Sequence, residues 1–171
     1  MRLPHADIFY HRSMRTFLAV LLAALLVGCA AAEPSARPSS LKVLVVRLAP
    51  GDDPKAALDK LVRDQGIEAA FVLGCAGSLT RAVIRFADKR EPTTLEEKLE
   101  IVSLGGTLSA SGGSHLHISV ANGEGRTFGG HLKEGSAVYT TAEIAIGVAE
   151  DLRFTRAQDS SGYPELSVER R

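Results

Sequence analysis

This 171-residue chain encodes a strand-rich α+β domain with several antiparallel pairs and one clear helix. Three observations lead there. Apolar and β-branched residues recur in short alternating runs, as at 41–48 and 137–148. Segments rich in Gly and Asn separate these runs, as at 122–125, and such residues suit hairpin connections. One stretch alone has helical spacing. Asp53-Pro54 reads as an N-cap followed by proline in the first turn, Leu58, Leu61 and Val62 form a stripe, and Gly66 closes the helix.

The amino end limits what belongs to that domain. A polar, basic segment with His5, His11, Arg12 and Arg15 precedes an apolar run at 17–27. The run is shorter than the roughly 20 residues a membrane span requires. Basic start, short apolar centre and small residues form the signal-peptide pattern, and Met14 offers a second start. The ending Leu26-Val27-Gly28-Cys29 resembles a bacterial lipobox. That resemblance implies cleavage before Cys29 and lipid attachment to its thiol; an ordinary secretory signal with an incidental cysteine is the other reading. With Ala30 rather than Asp after the cysteine, the same resemblance implies a lipid-anchored protein on the periplasmic side of the outer membrane, where the cell envelope is Gram-negative. The expected organisation is a lipoprotein signal peptide at 1–28, a flexible tether at 29–40 containing Pro34 and Pro38, and one folded domain at 41–171. Cys75 is the only cysteine of that domain, so no disulfide forms within it, and its apolar neighbours mark it as a small core residue.

The elements follow in order. Residues 41–48 form a strand that Pro50-Gly51 ends, and the helix comes next. Residues 67–73 form a strand, 74–78 a small-residue turn, and 79–86 a strand with Ala82, Ile84 and Phe86 on one side and Arg81, Val83 and Arg85 on the other. Arg81, Arg85, Lys89 and Arg90 read as a solvated edge, and 88–92 as a loop. The strand at 98–104 sets Leu99, Ile101 and Ser103 against Lys98, Glu100, Val102 and Leu104, and runs into a turn at Gly105-Gly106. After the histidine segment, 137–148 is a long strand. Leu152-Arg153-Phe154 starts a further strand or edge, 158–164 is loop, and Leu166 and Val168 belong to a last short strand.

The chemistry concentrates between Leu104 and Glu143. Strand alternation turns His115 and His117 to one face, and Leu116, Ile118 and Val120 to the core. A turn at 122–125 and a return strand from Arg126 bring His131 back toward the pair, past Gly129-Gly130, where absent Cβ atoms permit close approach. Three imidazoles with an open fourth position are a zinc pattern. A polar strand face, hydrogen-bonded or solvated, is the alternative. Glu143 stands among Thr141, Ala142 and Ile144, so it either faces water or meets a partner such as a metal-bound water, an imidazole N–H or an arginine.

The series Gly77-Ser78-Leu79, Arg85-Phe86, Glu100 to Leu108, His115-Leu116-His117-Ile118-Ser119, Gly129-Gly130-His131-Leu132, Gly135 and Thr140-Thr141-Ala142-Glu143-Ile144 resembles the PPC domain, the plant and prokaryote conserved domain. The resemblance covers about residues 42–154. It implies a compact antiparallel sheet flanked by helices, assembled as a homotrimer. Plant members join the domain to an AT-hook, and bacterial members are labelled DNA-binding by analogy; no Arg-Gly-Arg-Pro hook occurs in this sequence. In some prokaryotic members the matching histidines are metal ligands, which implies zinc on His115, His117 and His131.

The resulting expectation is a lipid-anchored envelope protein that binds zinc and a small ligand or protein partner. A zinc-dependent hydrolase or lyase with Glu143 as general base is the first alternative, although His-Glu-x-x-His is absent. DNA binding is the second. Twenty basic and twenty acidic residues cancel, and that balance, with the leader, opposes a nucleic-acid partner.

Overall fold

The computed structural model describes residues 36–171. The expected signal peptide, Cys29 and the first part of the tether lie outside the described residues. Strand β1 (Lys42–Leu48) leads to helix α1 (Pro54–Gln65), and eight further strands follow: β2 (Ala70–Arg85), β3 (Thr93–Leu95), β4 (Leu99–Ser109), β5 (Gly113–Ala121), β6 (Thr127–Leu132), β7 (Ala137–Val148), β8 (Leu152–Gln158) and β9 (Pro164–Arg170).

The order β1-β7-β2-β4-β5-β6 forms one antiparallel sheet built around the long β2. Most of β2 pairs with β7, and shorter stretches pair with β4 and β3. At its far end Ile84 and Arg85 pair with Leu132 and His131 of β6. The ladders β2–β4–β5–β6 therefore close on themselves, and closure leaves no free edge in that part of the sheet. Strand β1 stays outside the ring and pairs with β7 from Lys42↔Val148 to Leu48↔Ala142.

Helix α1 forms where its signals predict. The Asp53 carboxylate accepts from the Lys55 and Ala56 amides at 2.9 and 3.2 Å, and Gly66 ends the helix in the left-handed conformation. The other Asp53 oxygen accepts from Gly135 N–H at 2.5 Å, so one side chain both caps the helix and fixes the loop before β7. Leu58 and Val62 are buried in the core formed by Leu79, Ile84, Leu99, Leu108, Leu116, Leu132, Ile144 and Ile146. Burying a leucine of this kind contributes about 1.5–3 kcal/mol. Lys55 Nζ reaches Asp59 Oδ2 at 2.6 Å and Ser114 Oγ at 2.8 Å, tying the helix to the start of β5.

Several expectations are corrected. Helices do not flank the sheet: α1 is the only helix among the described residues. The segment 74–78 is no turn; β2 passes straight through it, with register shifts between Val72 and Gly74 and between Gly77 and Leu79 absorbing the irregularity. Strand β4 likewise continues through Gly105-Gly106 to Ser109. A bulge between Ile101 and Ser103 leaves Val102 unpaired against β5. The extra residue reverses the alternation, so Leu104 is buried and Ser103 exposed. Short β3 falls where no strand was expected.

The last two strands are longer than expected and form a separate hairpin. Its inner residues Leu152 and Phe154 pack with Ala69 and Ala149, and Phe154 meets Phe71 edge to face at 5.0 Å. Phe154 N–H donates to Glu68 O at 2.8 Å, and Ser109 Oγ donates to Phe154 O at 2.9 Å. These bonds pin the hairpin against the end of β4. Among the described residues no helix is long and apolar enough to cross a membrane.

Candidate metal centre

Strand β5 divides its side chains as alternation requires. Leu116, Ile118 and Val120 are buried, while His115 is half-buried and His117 exposed on the other face. The turn after β5 is held by Asn122, whose side-chain oxygen accepts from the Glu124 and Arg126 amides. Strand β6 then returns in the register His117↔His131. The two strands thereby deliver all three imidazoles to one place.

Two glycines make this approach possible. A Cβ on Gly106 would stand 1.9 Å from the His115 carbonyl oxygen, and one on Gly130 2.6 Å from the Arg85 carbonyl oxygen. Gly106 lets β4 and β5 close at His115; Gly130 lets β6 close on β2, which brings His131 in.

His115 Nε2 lies 3.1 Å from His117 Nε2 and 3.2 Å from His131 Nδ1, and one ligand nitrogen from each ring fits within a 4.8 Å group. Two nitrogens each 2.0–2.1 Å from a tetrahedral zinc stand about 3.3 Å apart. The donor set therefore has the chemistry and nearly the spacing of a three-histidine metal site. Burial, followed by the Arg85 charge, depresses the His131 pKa to about 4. Burial, followed by Arg156, also lowers that of His115. Both rings are consequently neutral near pH 7, the form that ligates a metal.

Three cavities border the cluster. One of about 250 Å³ lies against Gly105, Gly106, Thr107, His115, His117, Arg156 and Glu165. One of about 560 Å³ is bounded by His115, His131, Arg85, Asp88, Lys133, Arg156, Tyr163 and Glu165. One of about 440 Å³ meets His117, His131, Ser103, Ser119, Gly129 and Gly130. The centre thus has open space on several sides.

Glu143 is not brought to this centre within the protomer. It sits exposed on β7, opposite Arg47 and Ala76, with β2 and β4 between it and β5, and it lines none of the three cavities. Its neighbour Cys75 is half-buried against the core, and burial followed by the Glu143 charge raises the thiol pKa to about 11. A thiol so protonated is a poor nucleophile. The carboxylates beside the histidines are instead Asp88 and Glu165, and the cations are Arg85, Lys133 and Arg156. Burial, followed by the charges of Arg85 and Lys55, holds the Lys133 pKa below its ordinary value. Sequence reading missed this shell. Arg85 looked like part of a solvated edge, and nothing local reveals that the β8–β9 hairpin folds back to present Arg156 and Glu165.

Residues 35–150 match the family model for the Plants and Prokaryotes Conserved (PCC) domain. Over 145 residues the chain is 46% identical to a Synechococcus sp. (strain JA-3-3Ab) relative described as bifunctional protein GlmU; the match takes in 84% of this chain and 23% of that protein. The chain thus spans about a quarter of that relative's length. A hypothetical protein from Salmonella enterica is 36% identical with a TM-score of 0.77, over 80% of this chain and 99% of that one. A metal-containing protein from Archaeoglobus fulgidus is 26% identical with a TM-score of 0.66, over 78% of this chain and 99% of that one.

Proposed function

The chain belongs to the Plants and Prokaryotes Conserved domain family, and from that premise we propose that it is a metal-binding module of the bacterial envelope. In this reading His115, His117 and His131 hold one zinc ion, lipid on Cys29 anchors the protein, and three copies assemble. The open position of the metal receives a small ligand or a group from a partner protein. One observation carries the metal assignment: three ring nitrogens from two strands converge at 3.1 and 3.2 Å on a face with open space around it. The metal-containing description of the Archaeoglobus relative agrees with it.

The test is metal content per protomer of the full chain without a His-tag, compared with a His115→Ala/His117→Ala variant. About one equivalent in the parent and none in the variant is the expected result. No metal after incubation with excess zinc overturns the assignment.

An enzymatic reading is favoured by one feature, a carboxylate beside the histidines. A bound zinc would supply an activated water at neutral pH. Glu165, which shares two cavities with His115, would hold or move the proton, the role first expected of Glu143. Loss of a screened hydrolytic activity in Glu165→Gln with metal content intact supports this reading; an unchanged activity sinks it. DNA binding is the description carried by a structural neighbour from Ralstonia eutropha; the zero formal charge of this chain weighs against it.

A further inference from the structure

We propose that the cleft beside the histidines binds a small molecule through an oxyanion group, carboxylate or phosphate, clamped by Arg85, Lys133 and Arg156. The proposal rests on the metal reading for the open coordination position that the ligand faces; the clamp itself consists of this chain's own side chains.

The three cations come from separate parts of the fold. Arg85 ends β2, Lys133 follows β6, and Arg156 lies on β8, yet all three border the same cavity of about 560 Å³. Convergence of like charges is unfavourable unless something negative sits among them. Among the described residues no ion pair neutralises them: none of the three cations takes part in the five that form.

Their hydrogen bonds leave donors to spare. Arg156 spends one N–H on Thr107 Oγ1 at 2.9 Å, which orients the guanidinium beside His115. Arg85 gives one to the Lys89 carbonyl at 3.2 Å. An arginine held this way presents a planar fork that fits the paired oxygens of a carboxylate or phosphate. Asp88 and Glu165 stand on the same wall, so the cleft is mixed, with three cations against two carboxylates before any metal is counted. A divalent metal on the histidines would widen that difference. Tyr163, 69% exposed at the tip of the β8–β9 hairpin, forms the outer rim.

The experiment titrates the zinc-loaded full chain with inorganic phosphate and, separately, with succinate, by calorimetry at constant ionic strength. The parent, Arg156→Gln and Lys133→Gln are compared, and metal content is measured on each. Saturable binding of at least one probe is expected, weakened about tenfold or more in each variant, because each removes a charge-assisted hydrogen bond. Metal content stays as in the parent. The better-bound probe identifies the group as phosphate or carboxylate. Metal-replete protein that binds neither probe, or whose binding is unchanged in both variants, overturns the clamp. Should Arg156→Gln fail to fold, Lys133→Gln decides alone. If the parent holds no metal, the previous reading fails, and the same titrations on that protein still decide the clamp.

Discussion

The histidine face and the β1 face belong to one sheet, yet they differ in kind. On β4, β5 and β6 the outward positions carry glycines and three imidazoles within a closed ring of ladders. On β1 and β7 they carry Val43 and Val45, 57% and 75% exposed, opposite Gly147 and Ala145 on an edge that no other strand covers among the described residues. Alternation alone puts both sets of residues outside. Closure separates their uses, because β6 docked on β2 holds groups from two strands at fixed distances. The open edge instead exposes Val43 and Val45, apolar side chains of the kind another protein surface covers, beside Arg47 and Glu143.

The sharpest way to break this contrast is to disturb closure. Gly106→Val places a side chain against the His115 carbonyl oxygen. It is expected to destabilise the domain by about 3 kcal/mol or more and to abolish metal binding, by denaturant melts and metal analysis. Leu58→Ala removes core packing without touching either face. A loss of about 2–5 kcal/mol is expected, with metal stoichiometry of the folded protein intact; loss of metal with little loss of stability would contradict the separation of core and site.

Acid sharpens the comparison in a direction that can be worked out. His131 titrates near 6.5 unfolded and near 4 folded, because burial disfavours its charged form. The unfolded state therefore binds more protons between those values, so metal-free stability is full above about 6.5 and falls as pH drops toward 4. Thermal melts across that window are expected to show the decline, and His131→Gln to flatten it. The smallest effect on the folded protomer is expected from Val45→Lys. At an exposed strand position it changes protomer stability by about 0.5 kcal/mol or less and leaves metal content alone. It is expected to dissociate the trimer proposed above, a change that light scattering reads directly; an unaltered assembly would exclude this face as the contact.

Much of the histidine face was legible because it depends on short-range rules. His115 and His117 share a face by alternation, Asn122 and its glycine neighbours make the turn, and His131 lies at hairpin distance. The helix was legible for the same reason, through Asp53, Pro54 and Gly66. What escaped depends on register or on distant pairing. The bulge at Val102 exchanges Leu104 for Ser103 in the core, and one extra residue has no compositional mark. Arg85 reaches the site through the β2–β6 pairing, and Arg156 and Glu165 through a hairpin whose docking depends on Phe154 and Ser109. Of the two readings open for Glu143, water or a partner such as an arginine, the structure shows it exposed and opposite Arg47 across the β1–β7 ladder, away from the histidines within the protomer.

The strand order also bears on how the chain reaches this state. Strands β4, β5 and β6 are consecutive and pair with their neighbours in sequence, whereas β1 pairs with β7 from near the opposite end of the domain. Local hairpins form in microseconds, while pairings that enclose long loops wait on the entropy of closing them. Pulse-labelling of backbone amides during refolding is expected to protect β5 and β6 before β1. In that order His115, His117 and His131 meet before the sheet is complete, and zinc present at that moment would act on the folding chain as well as on the finished protein.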